Sequence, residues 1–162
     1  MIKAILAADD KGGVGKKGTM PWPHNAKDLN WFQKNTKKNI VIMGRSTWTD
    51  PNMPTPLVER INVLVTNQNT KHYPGADIYI KGDLINSLKK IEEKYPNKIL
   101  WAIGGPFIIN QIFSIIKEFY LTRIYGDYNC DTYLDINLIK KEMKLNKYIE
   151  CDSTCHFEIW TR

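Results

Sequence analysis

The feature that most limits what this chain can fold into is a series of short, almost wholly apolar runs at residues 2–8, 40–43, 61–65, 78–80 and 99–103, each too short to be a helix. A strand with one face in water alternates apolar and polar residues, so unbroken apolar runs suit strands covered on both faces. Between the runs lie segments with helical spacing: Leu29 and Phe32 after Asp28, then Leu84, Leu88 and Ile91, then Ile108, Ile109, Ile112, Phe113 and Ile116. Strands alternating with helices predict an α/β architecture with a largely parallel sheet. Residues 119–125, 147–151 and 157–161 also read as strands, with only a short interval between the last two, which predicts an antiparallel C-terminal edge. The expectation is therefore a single domain over residues 1–162. It should contain a central, mostly parallel twisted sheet of about eight strands, flanked by about four helices.

Composition narrows the function classes. The net charge of +6 would suit a polyanionic partner, but the lysines occur singly or in pairs, with no basic run and no aromatic-interleaved strip. Nucleic acid is therefore not the expected partner. Nineteen basic residues are Lys and four are Arg (Arg45, Arg60, Arg123, Arg162), so each arginine raises the question of whether a planar, forked donor is needed there. No stretch approaches 18 uninterrupted apolar residues and the first run stops at Asp9-Asp10, which predicts no membrane partner and a cytoplasmic location. Cys130, Cys151 and Cys155 are too few for a disulfide framework and lack paired zinc spacing. Reduced thiols and no metal are expected; Cys151, Cys155 and His156 lie close in sequence but lack a fourth ligand.

Two segments lack periodicity. Residues 9–25 form a Gly- and Lys-rich loop ending in Met20-Pro21-Trp22-Pro23, and residues 49–59 carry Pro51, Pro54 and Pro56. Long loops in a compact domain are often functional. The first contains Lys11-Gly12-Gly13-Val14-Gly15-Lys16, similar to the phosphate loop of partitioning ATPases. That chemistry needs a hydroxyl directly after the final lysine and a helix beyond it. Lys17 occupies the hydroxyl position, and Gly18 and Pro21 oppose a helix, so a glycine-hinged lid is the better reading.

Asp28 stands where a helix should begin, with Trp31 and Phe32 at i+3 and i+4, so a carboxylate and two rings share one face. In a cleft such a carboxylate is desolvated and becomes a proton-linked hydrogen-bond acceptor; the alternative is an ordinary acid favoured by the helix dipole. The run at 99–103 ends in Gly104-Gly105-Pro106 before the helical segment from Phe107, an arrangement that lets backbone approach a pyrophosphate. Met43-Gly44-Arg45-Ser46-Thr47-Trp48 offers a guanidinium and two hydroxyls at a second strand-to-helix turn.

Taken together and in this order, these segments resemble the dihydrofolate reductase family. The resemblance rests on Met20-Pro21-Trp22, Asp28-Leu29 with Trp31-Phe32, Val41 to Arg45 with Thr47-Trp48, Arg60-Ile61-Asn62, Ile103-Gly104-Gly105, Tyr120-Leu121-Thr122 and Asp131-Thr132, spread over nearly the whole chain. It implies reduction of 7,8-dihydrofolate to tetrahydrofolate by hydride transfer from NADPH, supporting one-carbon metabolism, by a monomer. By this resemblance Asp28, assisted by Thr122, binds the amino group and ring nitrogen of the pterin, and water delivers the proton. Met20 and Trp22 belong to a mobile lid over the nicotinamide. Ile5, Ala7, Phe32, Met53, Leu57 and Ile103 line the substrate pocket, and Arg60 holds the carboxylate of the substrate's glutamate tail. For the cofactor the resemblance implies Ala7, the lid residues Val14, Gly15, Gly18, Thr19 and Met20, and the turn Gly44, Arg45, Ser46 and Thr47. It places Arg45 with Thr66 and Asn67 at the 2′-phosphate, and Ile103, Gly104 and Gly105 with Thr47 along the nicotinamide and pyrophosphate, and adds Val65, Lys81, Pro106, Phe107 and Ile108 as further cofactor contacts. Arg123 is expected to be structural.

The chain departs from the family pattern in places. Pro106 replaces a usual glycine and removes one amide, while Phe107 and Ile109 stand where many bacterial members carry a basic or polar residue and a tyrosine. Five residues separate Trp22 from Asp28, one more than in common bacterial members, and Val58-Glu59 replaces a Pro-Gly turn, which sets a carboxylate beside Arg60. Three other readings stay open: the related reductase domain of riboflavin synthesis, which would not need the Asp28 and Arg60 pair, a magnesium-dependent ATPase, and a binding protein without turnover.

Overall fold

The computed structural model describes residues 1–162. Eight strands form one sheet: β1 (Ile2–Ala8), β3 (Ile40–Gly44), β4 (Ile61–Val65), β5 (Ile78–Ile80), β6 (Leu100–Gly104), β7 (Glu118–Ile124), β9 (Lys144–Glu150) and β10 (Cys155–Thr161). Their spatial order is β5-β4-β3-β6-β1-β7-β10-β9, parallel from β5 through β7 and antiparallel for the two last pairings. This is the predicted architecture. The apolar runs became the central strands because both faces are covered: every residue of β3 and of β6 is buried.

One face carries the main core, in which Ile40, Ile42, Leu100 and Ala102 meet Leu88, Ile109 and Ile112. Each such fully buried aliphatic side chain contributes roughly 1.5–3 kcal/mol relative to an exposed one. The opposite face carries a smaller cluster around Val41, Met43, Trp101 and Ile103. That face has no long helix pressed fully onto it. Helix α1 (Ala26–Thr36) lies there, with Thr36 as its one fully buried residue, whereas α3 (Leu84–Lys94) buries Leu84, Leu88 and Ile91. Asp83 caps α3 by accepting from the Asn86 N–H, and Pro106 starts α4 (Pro106–Ile112), where a missing N–H costs nothing.

The structure corrects the expectation at several points. There are five α-helices rather than about four, counting α2 (Arg45–Trp48) and α5 (Ile136–Glu142). Helix α5 has one buried residue, Ile139, too little for a periodic signal in seven residues. Helix α1 begins before Asp28: Asn25 is the cap, and its Oδ1 accepts from the Asp28 N–H at 3.1 Å, which makes Asp28 the third helical residue. Strand β9 starts three residues earlier than the pattern suggested because this edge strand is almost wholly exposed and needs no apolar alternation. The 9–25 loop is not irregular throughout, since β2 (Gly13–Gly15) pairs with β8 (Thr132–Tyr133) as a separate ribbon. No helix follows Lys16, which reverses direction in a bridge to Thr19. Ile109 is a core residue, and Phe107 is 77% exposed.

Asp9 fixes this loop at the end of β1. It is buried, and its carboxylate accepts from the backbone N–H groups of Lys11 (2.9 Å), Gly13 (2.8 Å) and Tyr128 (3.0 Å), with the Cys130 thiol at 3.6 Å. Arg123 donates to the carbonyl oxygens of Asp9 and Asp10, a structural role of the kind expected for it. Burial opposes ionisation of Asp9, but the three amides outweigh it and hold the carboxyl below its ordinary value. A depressed carboxyl contributes stability that is present above its unfolded value of about 3.9 and is lost as the pH falls through the folded one. Asp9→Asn is therefore expected to cost on the order of 3 kcal/mol near neutral pH, because an amide can accept on one atom only. Urea unfolding of both proteins checks this: the gap between them should shrink steadily in acid.

Candidate functional site

All strands from β5 to β1 run parallel, so their carboxyl ends Ile80, Val65, Gly44, Gly104 and Ala8 share one rim of the sheet. Ligand sites of open α/β sheets lie at such rims. Here the rim opens into a cleft bounded by the 9–25 loop, the start of α2 and the Gly105–Pro106 turn. A second cavity adjoins it beneath the lid loop, lined by Trp22, Asn25, Asp28, Leu29 and Asn52, and Met20 lines both.

Asp28 is half-buried at the second cavity, over Thr122 of β7. Desolvation pushes its carboxyl up, and the nearby hydroxyl of the buried Thr122 partly opposes the shift. Next along the same helix, Trp31 stacks on Phe157 at 4.4 Å, and Phe32 packs against the smaller apolar cluster. That cluster also gathers Ile5, Leu57, Ile103 and Met53, all assigned to one pocket from the sequence. Ala7 lines the first cleft and stands opposite Thr122 in the β1–β7 register.

Arg60 lies at the far end of α1. Its Nε donates to the Val58 carbonyl at 2.9 Å and its Nη1 to the Thr36 hydroxyl at 3.1 Å, and the guanidinium carbon stands 5.9 Å from the Phe32 ring centre. Partial burial lowers its pKa, with the charge of Glu59 acting against that shift. Glu59 does not take the guanidinium as its ion-pair partner; it pairs with Lys37 at 3.2 Å. The arginine thus keeps donors free of any carboxylate.

Of the residues assigned to a cofactor, Val14, Gly15, Gly18, Thr19 and Met20 line the first cleft on the lid side. Ser46, Thr47, Ile103, Gly105 and Pro106 line it on the sheet side. Gly104 has φ +127°, and a Cβ there would come within 3.2 Å of Leu6 and of the Thr47 hydroxyl, so only glycine fits; a Cβ on Gly105 would meet open space. Arg45, Val65, Thr66, Asn67 and Lys81 do not line this cleft. They continue along the same rim, at or just beyond the ends of β3, β4 and β5, where Asn67 accepts from the Gly82 N–H at 3.1 Å. Gly44 and Ile108 are buried against each other, and a Cβ on Gly44 would meet Ile108 at 3.0 Å. Phe107 points away into solvent.

Several residues at the site escaped sequence reasoning. Leu6 and Asp50 line the first cleft, together with Thr132, whose neighbour Asp131 accepts from the Lys17 N–H at 2.9 Å. Asn52 donates to the Thr19 hydroxyl at 2.7 Å, which links the proline-bearing loop to the lid. The Asp50-Pro51 step marks a turn, but nothing local shows which cavity it faces. Leu29 is apolar yet 42% exposed, a hint visible only once the helix position is known.

Comparison with known proteins places the chain. The family model described as dihydrofolate reductase matches residues 1–160. A viral dihydrofolate reductase of Saimiriine herpesvirus 2 is 34% identical over 145 residues, which cover 82% of this chain and 68% of that protein. Dihydrofolate reductase type 8 of Escherichia coli is 30% identical, with 96% of this chain and 93% of that one covered. Among solved structures, dihydrofolate reductase from Enterococcus faecalis, complexed with NADP(H) and RAB-propyl, superposes with a TM-score of 0.81. That superposition covers 100% of this chain and 96% of the other at 21% identity, and shares the fold. No helix here is long and apolar enough to cross a membrane. A family match over all but the last two residues, on a fold whose sheet rim carries a half-buried carboxylate in a cavity next to the Gly105 cleft, means that this chain belongs to the dihydrofolate reductase family.

Proposed function

We propose that this protein reduces 7,8-dihydrofolate to 5,6,7,8-tetrahydrofolate with NADPH, and that it works as a cytoplasmic monomer built as one domain. The observation that carries the reading is the half-buried carboxylate of Asp28, raised by desolvation and faced by the Thr122 hydroxyl, at the floor of a cavity continuous through Met20 with the Gly105 cleft.

A dinucleotide fits the residues present. Gly104 has no room for a side chain and Gly105 leaves its backbone uncovered, so a flat ring and a pyrophosphate can approach the main chain there. Ser46 and Thr47 offer hydroxyls beside it, and Arg45 with Thr66, Asn67 and Lys81 would hold the 2′-phosphate, for which a forked guanidinium is well shaped. When bound, reduced nicotinamide supplies the hydride.

The chain's own residues do the rest. Asp28 accepts hydrogen bonds from the pterin's amino group and ring nitrogen, and its negative charge favours protonation of the heterocycle before the hydride arrives. Thr122 fixes the carboxylate's orientation. Ile5, Ala7, Phe32, Met53, Leu57 and Ile103 sandwich the ring system and exclude water from its faces, while Arg60 clasps the glutamate tail with donors left free by the Glu59–Lys37 pair. Met20 and Trp22 close over the junction of the two cavities and limit water entry to the delivery of one proton.

The decisive assay is the fall in NADPH absorbance on adding dihydrofolate. Ligand binding without that fall would make the chain a binding protein only. Asp28→Asn is expected to lower kcat/KM by on the order of 100-fold near neutral pH. Part of the activity should return in acid, where substrate arrives already protonated, so an unchanged pH profile would count against the role. The same substitution should raise the urea midpoint at neutral pH. A carboxyl whose folded pKa is raised costs stability once ionised, and the amide removes that cost. Arg60→Lys keeps the charge and loses bidentate contact, so steady-state kinetics should show KM for dihydrofolate rising about tenfold with kcat nearly unchanged. An effect confined to NADPH would move Arg60 to the other site.

A further inference from the structure

The turn between β9 and β10 carries a group of potential ligands that the reductase reading does not use. His156 pairs with Glu150 in the hairpin register, so Cys151 and Cys155 face each other one step nearer the turn. Both are free thiols. The turn residue Asp152 folds back beside them: the two sulfurs and a carboxylate oxygen all lie within 4.8 Å of one another. Cys155 is fully buried, Cys151 half-buried and Asp152 exposed, so the group is anchored from below and open to solvent above.

Two of the three groups are themselves held. Asp152 Oδ1 accepts from the Thr154 N–H at 2.8 Å and from the Thr154 hydroxyl at 2.5 Å, which fixes the carboxylate plane. Its Oδ2 has only the exposed ammonium of Lys27 nearby, at 3.6 Å. Asn25 donates through Nδ2 to the Thr154 hydroxyl at 3.0 Å and reaches the Cys155 sulfur at 3.7 Å. Hydrogen bonds onto the ligating atoms are what orient and tune a metal site. His156 takes no part, since its two ring nitrogens are engaged by Glu158 at 2.7 Å and Tyr125 at 2.9 Å.

We propose that Cys151, Asp152 and Cys155 form a binding site for a thiophilic divalent cation of the zinc type, with water completing the coordination. Two sulfurs select a soft or borderline ion over magnesium or calcium, and three protein ligands with one open position suit a four-coordinate ion. On binding, each thiol releases its proton to solvent and both sulfurs ligate as thiolates. Two thiolates and a carboxylate around a divalent ion leave one net negative charge, which Lys27 is placed to offset.

Titrating the reduced, full-length protein with Cd²⁺, followed by the ultraviolet thiolate-to-cadmium charge-transfer band and by calorimetry, tests the assignment. One equivalent should bind, with proton release, and Zn²⁺ should displace it. Cys151→Ser should halve the band and weaken binding at least about tenfold, Asp152→Asn should weaken binding about tenfold with the band kept, and Cys130→Ser should change neither. Asp152 is exposed, so its variant keeps the test informative if the cysteine variant folds poorly. Absence of saturable binding, a band undiminished by Cys151→Ser, or a band lost with Cys130→Ser would overturn the proposal.

Discussion

Parallel strands covered on both faces need long connections that carry the chain back across the sheet, here by α3 between β5 and β6 and by a loop with one short 3₁₀ turn between β4 and β5. That requirement governs the molecule from β1 to β6. It sends the carboxyl ends of five adjacent strands to one rim, where backbone turns outward and side chains are free to face a ligand. Gly44, Gly104 and the residues after β4 and β5 stand at the cleft or along that rim for the same reason.

The two faces of the sheet are filled unequally, and the difference makes room for chemistry. Helices α3 and α4 seal one face with Leu88, Ile109 and Ile112. On the other, α1 buries only Thr36: Trp31 and Phe32 pack against the smaller apolar cluster, while Asp28 and Leu29 face a cavity left unfilled. A helix that is poorly packed by the standards of a core is well suited to be one wall of a pocket. The price is a desolvated carboxylate, that of Asp28, whose ionisation burial opposes.

The 9–25 loop is joined to this frame by polar contacts. Asp9 gathers amides from its own loop and from Tyr128, Asp131 accepts from Lys17, and Asn52 reaches Thr19 from the opposite wall. Hydrogen bonds of this kind, made to partners from 4 to 119 residues away along the chain, can be exchanged one at a time, which apolar packing cannot. The loop is therefore held in place at its base while Met20 lies over both cavities.

The sheet strands, and the change from parallel to antiparallel pairing at the C-terminal edge, were legible in the sequence because apolar runs and turn residues are local signals; their order across the sheet was not. The motifs that carry the family resemblance also group Ile5, Leu57 and Ile103, and the structure packs these three into one apolar cluster. Helix α5, the early start of β9 and the β2–β8 ribbon were not legible, since each is short or exposed and draws its stability from neighbours rather than from its own periodicity. The sequence by itself determined the α/β architecture, the family and the set of residues available for catalysis. Only the tertiary structure decided which of them are desolvated, that Glu59 turns to Lys37 and leaves Arg60 free, and that Asp152 rather than His156 joins Cys151 and Cys155. Charge pairing, burial and ligand convergence depend on distances between residues remote in the chain or turned by a hairpin, and those distances exist only after the chain has closed on itself.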